Sequence, residues 1–219
     1  MTDDDLGSGA RDVAATTIGD WLAQLGSSAP APGGGAAAAV NAALGAALVE
    51  MVCNLTIGRP KFAQFEEHVT AIRDAARKLR AEALTQVRDD AAAFTTLMAS
   101  YRLPRETPGQ QASREREIQS ATRLAASVPL EIAGTGARVV ELAAGLPGRS
   151  NPNLLSDVAV AATCAAAAIE AAAVNVEVNL AGMKDRDAKA ELADRLAVHL
   201  AAADQARRLV ADVRRETGE

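Results

Sequence analysis

The chain has 219 residues, 49% of them hydrophobic but only 2% aromatic, and 23 Lys and Arg against 28 Asp and Glu give it a net charge of −5. That length supports one sizeable core. The acidic balance argues against a nucleic-acid partner, which needs a basic face to neutralise phosphates. The opening MTDDDLGSGARD has neither the basic nor the apolar region of a signal peptide. Glu50, Asn54, Glu170, Asn175 and Glu177 interrupt the longest apolar stretches, so no segment reads as membrane-spanning. The expectation is a soluble, cytoplasmic protein with no membrane partner.

Residues 1–15 read as a disordered tail, and residues 16–219 as a single helical domain. Thr16 or Thr17 can cap a short helix to about Leu25, anchored by Trp21. The segment Gly26-Ser27-Ser28-Ala29-Pro30-Ala31-Pro32 breaks it. Gly33-Gly34-Gly35 then opens a long apolar helix to about Thr56, ended by Gly58 and Pro60. A third helix is expected from Lys61 or Phe62 to Ser100, with Val69, Ile72, Ala76, Leu79, Ala83 and Val87 at helical spacing. After a turn around Pro104–Gly109, a fourth helix runs from about Gln110 to Ala144. Pro129 inside it predicts a kink or break. Asn153 or Ser156 can cap a fifth helix, apolar nearly all round and therefore buried, to about Leu180. Asp185 can cap a last amphipathic helix carrying Leu192, Leu196, Leu200 and Leu209. No run alternates with the period of a strand over a useful length.

The pattern is all-α: an antiparallel bundle of five to six helices with two long, buried, Ala-rich helices. Alanine lets helices approach closely but buries little area per residue, so wide contacts must supply stability. A large homodimer interface is expected for that reason. Cys53 and Cys164 lie in Ala- and Val-rich surroundings and read as small apolar residues rather than a disulfide or metal site.

Four groups of residues can carry chemistry, each with a plainer reading beside it. Gly33, Gly34 and Gly35 strip a helix start of side chains, which suits a carboxylate or phosphate; a flexible linker before a helix is the plain alternative. Asp157 and Asn175 lie five whole turns apart on one helix face, about 27 Å along the axis, with Asn179 one turn further. They cannot share one small ligand within a chain, but across an antiparallel dimer each can line a pocket. The plain readings are a charge at a helix start and interhelical hydrogen bonds. Glu50 amid Leu48, Val49, Met51 and Val52 is either a buried acid with a raised pKa or a salt-bridged residue. Arg59 and Lys61 follow a helix end, where cations are ordinary, and can also clamp an anionic tail. Asp89 and Asp90 point to different helix faces, so at least one is expected in solvent. His68 and His199 have no metal-ligand spacing and read as surface residues.

Taken in order, the segments resemble the cyclodeaminase domain of the formiminotransferase-cyclodeaminase family and its methenyltetrahydrofolate cyclohydrolase relatives. Pro30-Ala31-Pro32-Gly33-Gly34-Gly35 resembles P-x-P-G-G-G, and Met51 to Gly58 resembles M-V-x-N-L-T-x-G. Asp90 to Phe94 is similar to D-x-x-A-F, Val128-Pro129-Leu130 to V-P-L, Asn151 to Asp157 to N-x-N-x-x-S-D, and Asn175 to Asn179 to N-V-x-I-N. The resemblance implies an all-helical homodimer that acts on a one-carbon derivative of tetrahydrofolate without a metal or other cofactor. It implies catalytic roles for Asp157, Asp90 and Lys61. Substrate binding would then fall to Pro32, Gly33, Gly34, Gly35, Asn54, Arg59, Asn153, Ser156, Asn175 and Asn179. The sequence departs from the family at Ala36, often Ser, at Ala92, often acidic, and at Glu177, often Arg. Of these, Ala36 and Glu177 favour the alternative of a catalytically drifted helical dimer that binds a folate or another acidic small molecule.

Overall fold

The computed structural model describes residues 13–217. Most of the expected tail, residues 1–12, lies outside them. Val13–Ala15 form a 3-10 turn, with Val13 packed against the core.

Six α-helices follow, and no strand occurs among the described residues: α1 (Ile18–Leu25), α2 (Gly34–Asn54), α3 (Glu66–Ser100), α4 (Pro108–Ala144), α5 (Leu155–Gly182) and α6 (Arg186–Thr217). Thr17 caps α1, its side chain accepting from the Asp20 N–H at 3.1 Å, and Trp21 is buried. Helix α3 begins later than its apolar pattern predicts. Pro60 opens a 3-10 segment over Pro60–Phe65, and the α-helix takes over at Glu66. Helix α4 begins two residues earlier than expected, because Thr107 and Gln110 cap each other reciprocally and Pro108 fits the first turn. The expected caps of α5, Asn153 and Ser156, are not used. Leu154 occupies the N-cap, and Asn151 instead caps the preceding 3-10 turn by accepting from the Asn153 N–H at 3.2 Å. Asp185 does cap α6, accepting from the N–H groups of Asp187 and Ala188.

Helices α2 and α5 run antiparallel at the centre. The start of α2 meets the end of α5, where a Cβ on Gly34 would touch the Asn175 side chain at 3.4 Å. The end of α2 meets the start of α5, where the Thr56 hydroxyl accepts from the Asn151 N–H at 3.1 Å. Midway, a Cβ on Gly45 would sit 3.0 Å from the Ala161 carbonyl, so glycine sets how closely the two backbones approach. Helix α3 flanks α2, α6 flanks α5, and α4 packs across the back against all four. The core between them is Ala- and Val-rich, with Leu130, Ile132, Leu146 and Ile169 as its largest fully buried side chains.

Both central helices are long and apolar enough to cross a membrane by length and composition, yet more than half of each such window is buried inside the bundle. Neither is buried all round. The α4 side of each is sealed, while the outer side leaves Leu44, Leu55, Val160, Val174 and Val178 exposed.

The predicted break at Pro129 does not occur: α4 is continuous from Pro108 to Ala144. Proline lacks the N–H that would bond the carbonyl four residues earlier. That carbonyl, on Ala125, instead accepts a 2.9 Å hydrogen bond from Nδ2 of Asn179 on α5. The defect in one helix is repaired by a side chain of its neighbour.

Candidate functional site

Where the start of α2 meets the end of α5 there is a cavity of about 190 Å³. Gly33, Gly34 and Gly35 form one wall, Asp90 and Phe94 of α3 a second, and Asn175 and Asn179 of α5 a third, with Ala125 of α4 at the back. Pro30 and Ala31 form the rim.

Three features of the sequence make this wall. Gly33 is the N-cap of α2 and makes no side-chain cap. The first intrahelical bond runs from the Ala37 N–H to the Gly33 carbonyl, so the N–H groups of Gly34, Gly35 and Ala36 have no partner within the helix. The Ala36 N–H is directed at the carboxylate of Asp90. Gly35 is glycine because a Cβ there would collide with that same carboxylate. The helix start and the acid are thus built around each other.

Burial pushes the Asp90 carboxyl above its usual range, and the Ala36 hydrogen bond only partly opposes the shift. Its neighbour Asp89 is exposed, as helical geometry requires of adjacent residues. The Asn179 amide donates to two helix carbonyls, Ala125 at 2.9 Å and Asn175 at 2.8 Å. Both of its N–H groups are therefore in use, and its oxygen remains as an acceptor. Asn175 donates to the Ala171 carbonyl at 2.8 Å. The cavity therefore brings a largely buried carboxyl together with amide acceptors on one side and helix-start N–H donors on the other.

The residues singled out from the sequence divide between two ends of the molecule. Gly33, Gly34, Gly35, Asp90, Asn175 and Asn179 meet at the cavity. Pro32 stands beside the rim without lining it. Asn54, Arg59, Lys61, Asn153, Ser156 and Asp157 gather at the other end, where α2 finishes and α5 starts. The two groups are separated by roughly the length of α2, about 30 Å. At that far end Asp157 is half-buried, while Asn54, Arg59, Lys61, Asn153 and Ser156 are exposed, with the Lys61 ammonium 5.7 Å from the Phe62 ring centre.

Sequence reasoning missed Phe94, Leu97 and the Ala125 carbonyl. Phe94 and Leu97 follow Asp90 at spacings of four and seven, one helix face, so their placement was legible once Asp90 was chosen. The Ala125 carbonyl was signalled by Pro129 four residues on. Elsewhere, Glu50 takes its salt-bridged reading. Burial alone would raise its pKa, but Arg77 at 2.9 Å and Arg80 at 3.1 Å hold the carboxyl below its usual range. Cys53 is fully buried, and burial pushes its thiol up to about 12. His68 is exposed with Nε2 3.1 Å from the Gly145 carbonyl oxygen. His199 is half-buried rather than a surface residue, and burial together with Arg195 lowers its pKa.

Residues 17–198 match a family model described as formiminotransferase-cyclodeaminase. The chain is 42% identical over 170 residues to a methenyltetrahydrofolate cyclohydrolase of Methylorubrum extorquens, covering 78% of this chain and 82% of that protein. It is 33% identical over 170 residues to the formimidoyltransferase-cyclodeaminase of Mus musculus, of which it spans 31%. A crystal structure of formiminotetrahydrofolate cyclodeaminase from Thermotoga maritima superposes with a TM-score of 0.83 at 26% identity, covering 92% of this chain and 96% of that one.

Proposed function

The chain belongs to the formiminotransferase-cyclodeaminase family, and from that premise we infer that it is an enzyme of tetrahydrofolate one-carbon chemistry, most closely a methenyltetrahydrofolate cyclohydrolase. The 42% identity to the Methylorubrum cyclohydrolase, against 33% to the mouse formimidoyltransferase-cyclodeaminase and 26% to the Thermotoga cyclodeaminase, supports that choice over the cyclodeaminase reading. The observation that carries the reading is Asp90: a half-buried carboxyl with a raised pKa, set against the open start of a helix in a cavity.

In the cyclohydrolase direction, water adds to the amidinium carbon of 5,10-methenyltetrahydrofolate and gives up a proton as the C–O bond forms. The tetrahedral adduct then loses its C–N5 bond, whose electron pair stays on N5 and takes a proton, while the hydroxyl proton leaves as the formyl carbonyl forms. A carboxyl that can hold and release a proton serves these transfers, and burial raises the Asp90 pKa from its usual range, which favours that role. Asn175 and Asn179 supply acceptors for the N–H groups of the pterin ring, and Asp157 and Lys61 are the further catalytic candidates. The working unit is read as a cytoplasmic homodimer that uses no cofactor and engages neither nucleic acid nor membrane. The uncovered α2 and α5 faces support the dimer, and the acidic chain argues against nucleic acid.

The test is a spectrophotometric assay with 5,10-methenyltetrahydrofolate. Wild type is expected to open it, and Asp90→Asn to lose about 10²–10⁴-fold in rate, the usual scale of general acid–base catalysis. An unchanged rate in Asp90→Asn would remove the proton-transfer role. Ammonia release from 5-formiminotetrahydrofolate without methenyl hydrolysis would assign the cyclodeaminase reaction instead.

A further inference from the structure

We propose that Pro129, which does not itself line the cavity, is a positioning residue of the site. It frees the Ala125 carbonyl to hold Asn179 so that only the amide oxygen of Asn179 faces a ligand, and the cavity selects an N–H or O–H donor at that point. The proposal rests on the functional reading above and extends it to what fixes the polarity of the site.

Pro129 is buried inside α4 and brings no N–H to the Ala125 carbonyl. Ala125 forms the back of the cavity. A carbonyl released there is open to a neighbouring side chain or to whatever enters the cavity. Nδ2 of Asn179 takes it, at 2.9 Å, and donates its second N–H to the Asn175 carbonyl at 2.8 Å. The reverse orientation of the amide would press its oxygen against two carbonyl oxygens at those same distances. An asparagine amide carries donors on one side and an acceptor on the other, and two carbonyls on one side decide which it shows. Asn179 lines the cavity, and its Oδ1 is neither sealed in nor bonded among the described residues. The oxygen is therefore what it offers a ligand.

Donating twice also polarises the amide, which strengthens its oxygen as an acceptor. The acceptor that Pro129 releases in α4 thus reappears in the cavity as Oδ1 of Asn179. Proline in a helix interior is destabilising relative to alanine, and the gain this geometry offers in return lies at the site. With alanine at 129, a backbone N–H competes for the Ala125 carbonyl, and one of the two restraints on the amide weakens. Asn175 shows the looser arrangement: among the described residues its amide is anchored through the Ala171 carbonyl, at 2.8 Å. Across the cavity stand the N–H groups of Gly34 and Gly35, which have no partner within the helix. The site therefore offers fixed donors on one wall and a fixed acceptor on the other, and Pro129 sets the second.

Two measurements on the full-length protein test this, one of them without activity. In amide NMR spectra the side-chain N–H pair of Asn179, assigned through its contacts to Ala125, is expected to exchange with water at least about fivefold faster in Pro129→Ala than in wild type. Equal exchange overturns the proposal. With 5,10-methenyltetrahydrofolate, Pro129→Ala is expected to raise KM about five- to tenfold, with kcat within about twofold and helical circular dichroism unchanged. A proline with a merely structural role leaves KM where it was, and that result overturns the proposal. In an Asn179→Ser background, Pro129→Ala is expected to change KM by less than about twofold, because the amide it positions is gone, and a further rise of about fivefold there overturns it too. A freed amide in a protein with no turnover would sink the enzymatic reading while the positioning role stood; turnover with a KM indifferent to Pro129 would do the reverse.

Discussion

At Gly35 a single hydrogen atom decides whether an acid can occupy a helix start. Alanine at that position gains helix propensity, up to about 1 kcal/mol in a helix interior, but its methyl would occupy the space of the Asp90 carboxylate. Gly35→Ala is therefore expected to lower the hydrolysis rate at least tenfold while the helical circular dichroism is unchanged. An undiminished rate would show that the acid need not lie against the helix start. Asp90 itself carries a stability cost. Its folded pKa is raised, so the folded state binds the proton more tightly than the unfolded chain, and stability falls as pH rises from the ordinary Asp range through the folded value. Asp90→Asn removes the charge yet keeps an acceptor for the Ala36 N–H. Its melting temperature is expected to exceed wild type at neutral pH, with the gap closing below about pH 4. A lower melting temperature at pH 7 would contradict the burial argument. His199 has the opposite sign: its lowered pKa contributes stability that is lost as pH falls through the ordinary histidine range.

Between elements, the repair of α4 by α5 is the most informative contact. Removing the Asn179 amide leaves the Ala125 carbonyl without its donor, at a cost of about 1–3 kcal/mol. Pro129→Ala returns a backbone N–H to that carbonyl. Asn179→Ala is therefore expected to destabilise strongly in wild type and less, by about 1 kcal/mol, in the Pro129→Ala background, which urea unfolding of the four proteins measures. Additive effects would mean that Asn179 stabilises through something other than the proline gap. Glu50 locks α2 to α3. Its side chain is only 12% exposed and binds Arg77 and Arg80, themselves about half exposed. Glu50→Ala is expected to cost about 1–3 kcal/mol, measured by urea unfolding, because two charge-assisted bonds between α2 and α3 are lost. The start of α3 shows the limit of reading elements from periodicity. The apolar pattern reached back to Phe62, but Pro60 held the chain in a 3-10 turn until Glu66.

For the whole molecule, the alanine-rich core leaves stability to area. The central helices give one face to α4 and leave the other apolar and uncovered. If two chains share that face, folding and association are linked, and the melting temperature rises with protein concentration. Dilution from about 100 μM to about 1 μM is expected to lower it measurably. A concentration-independent value with a mass of 22.5 kDa would place the unit at one chain.

The amino-acid sequence by itself determined the helices, their order and most of their ends, because capping residues, prolines, glycines and a 3.6-residue period act within a few positions of one another. It also singled out Gly33–Gly35, Asn175 and Asn179, since bare glycines and polar groups in apolar helices stand out locally, whereas Asp90, on a charged amphipathic helix beside Asp89, was marked only by its resemblance to D-x-x-A-F. What only the tertiary structure decided is which of these groups meet. Asp90 lies more than fifty residues from Gly35, Asn175 a further eighty-five along, and the Ala125 carbonyl became available through Pro129 and Asn179 together. Such meetings depend on the antiparallel pairing of α2 and α5 and on the depth to which alanine lets them approach, and no local pattern encodes either.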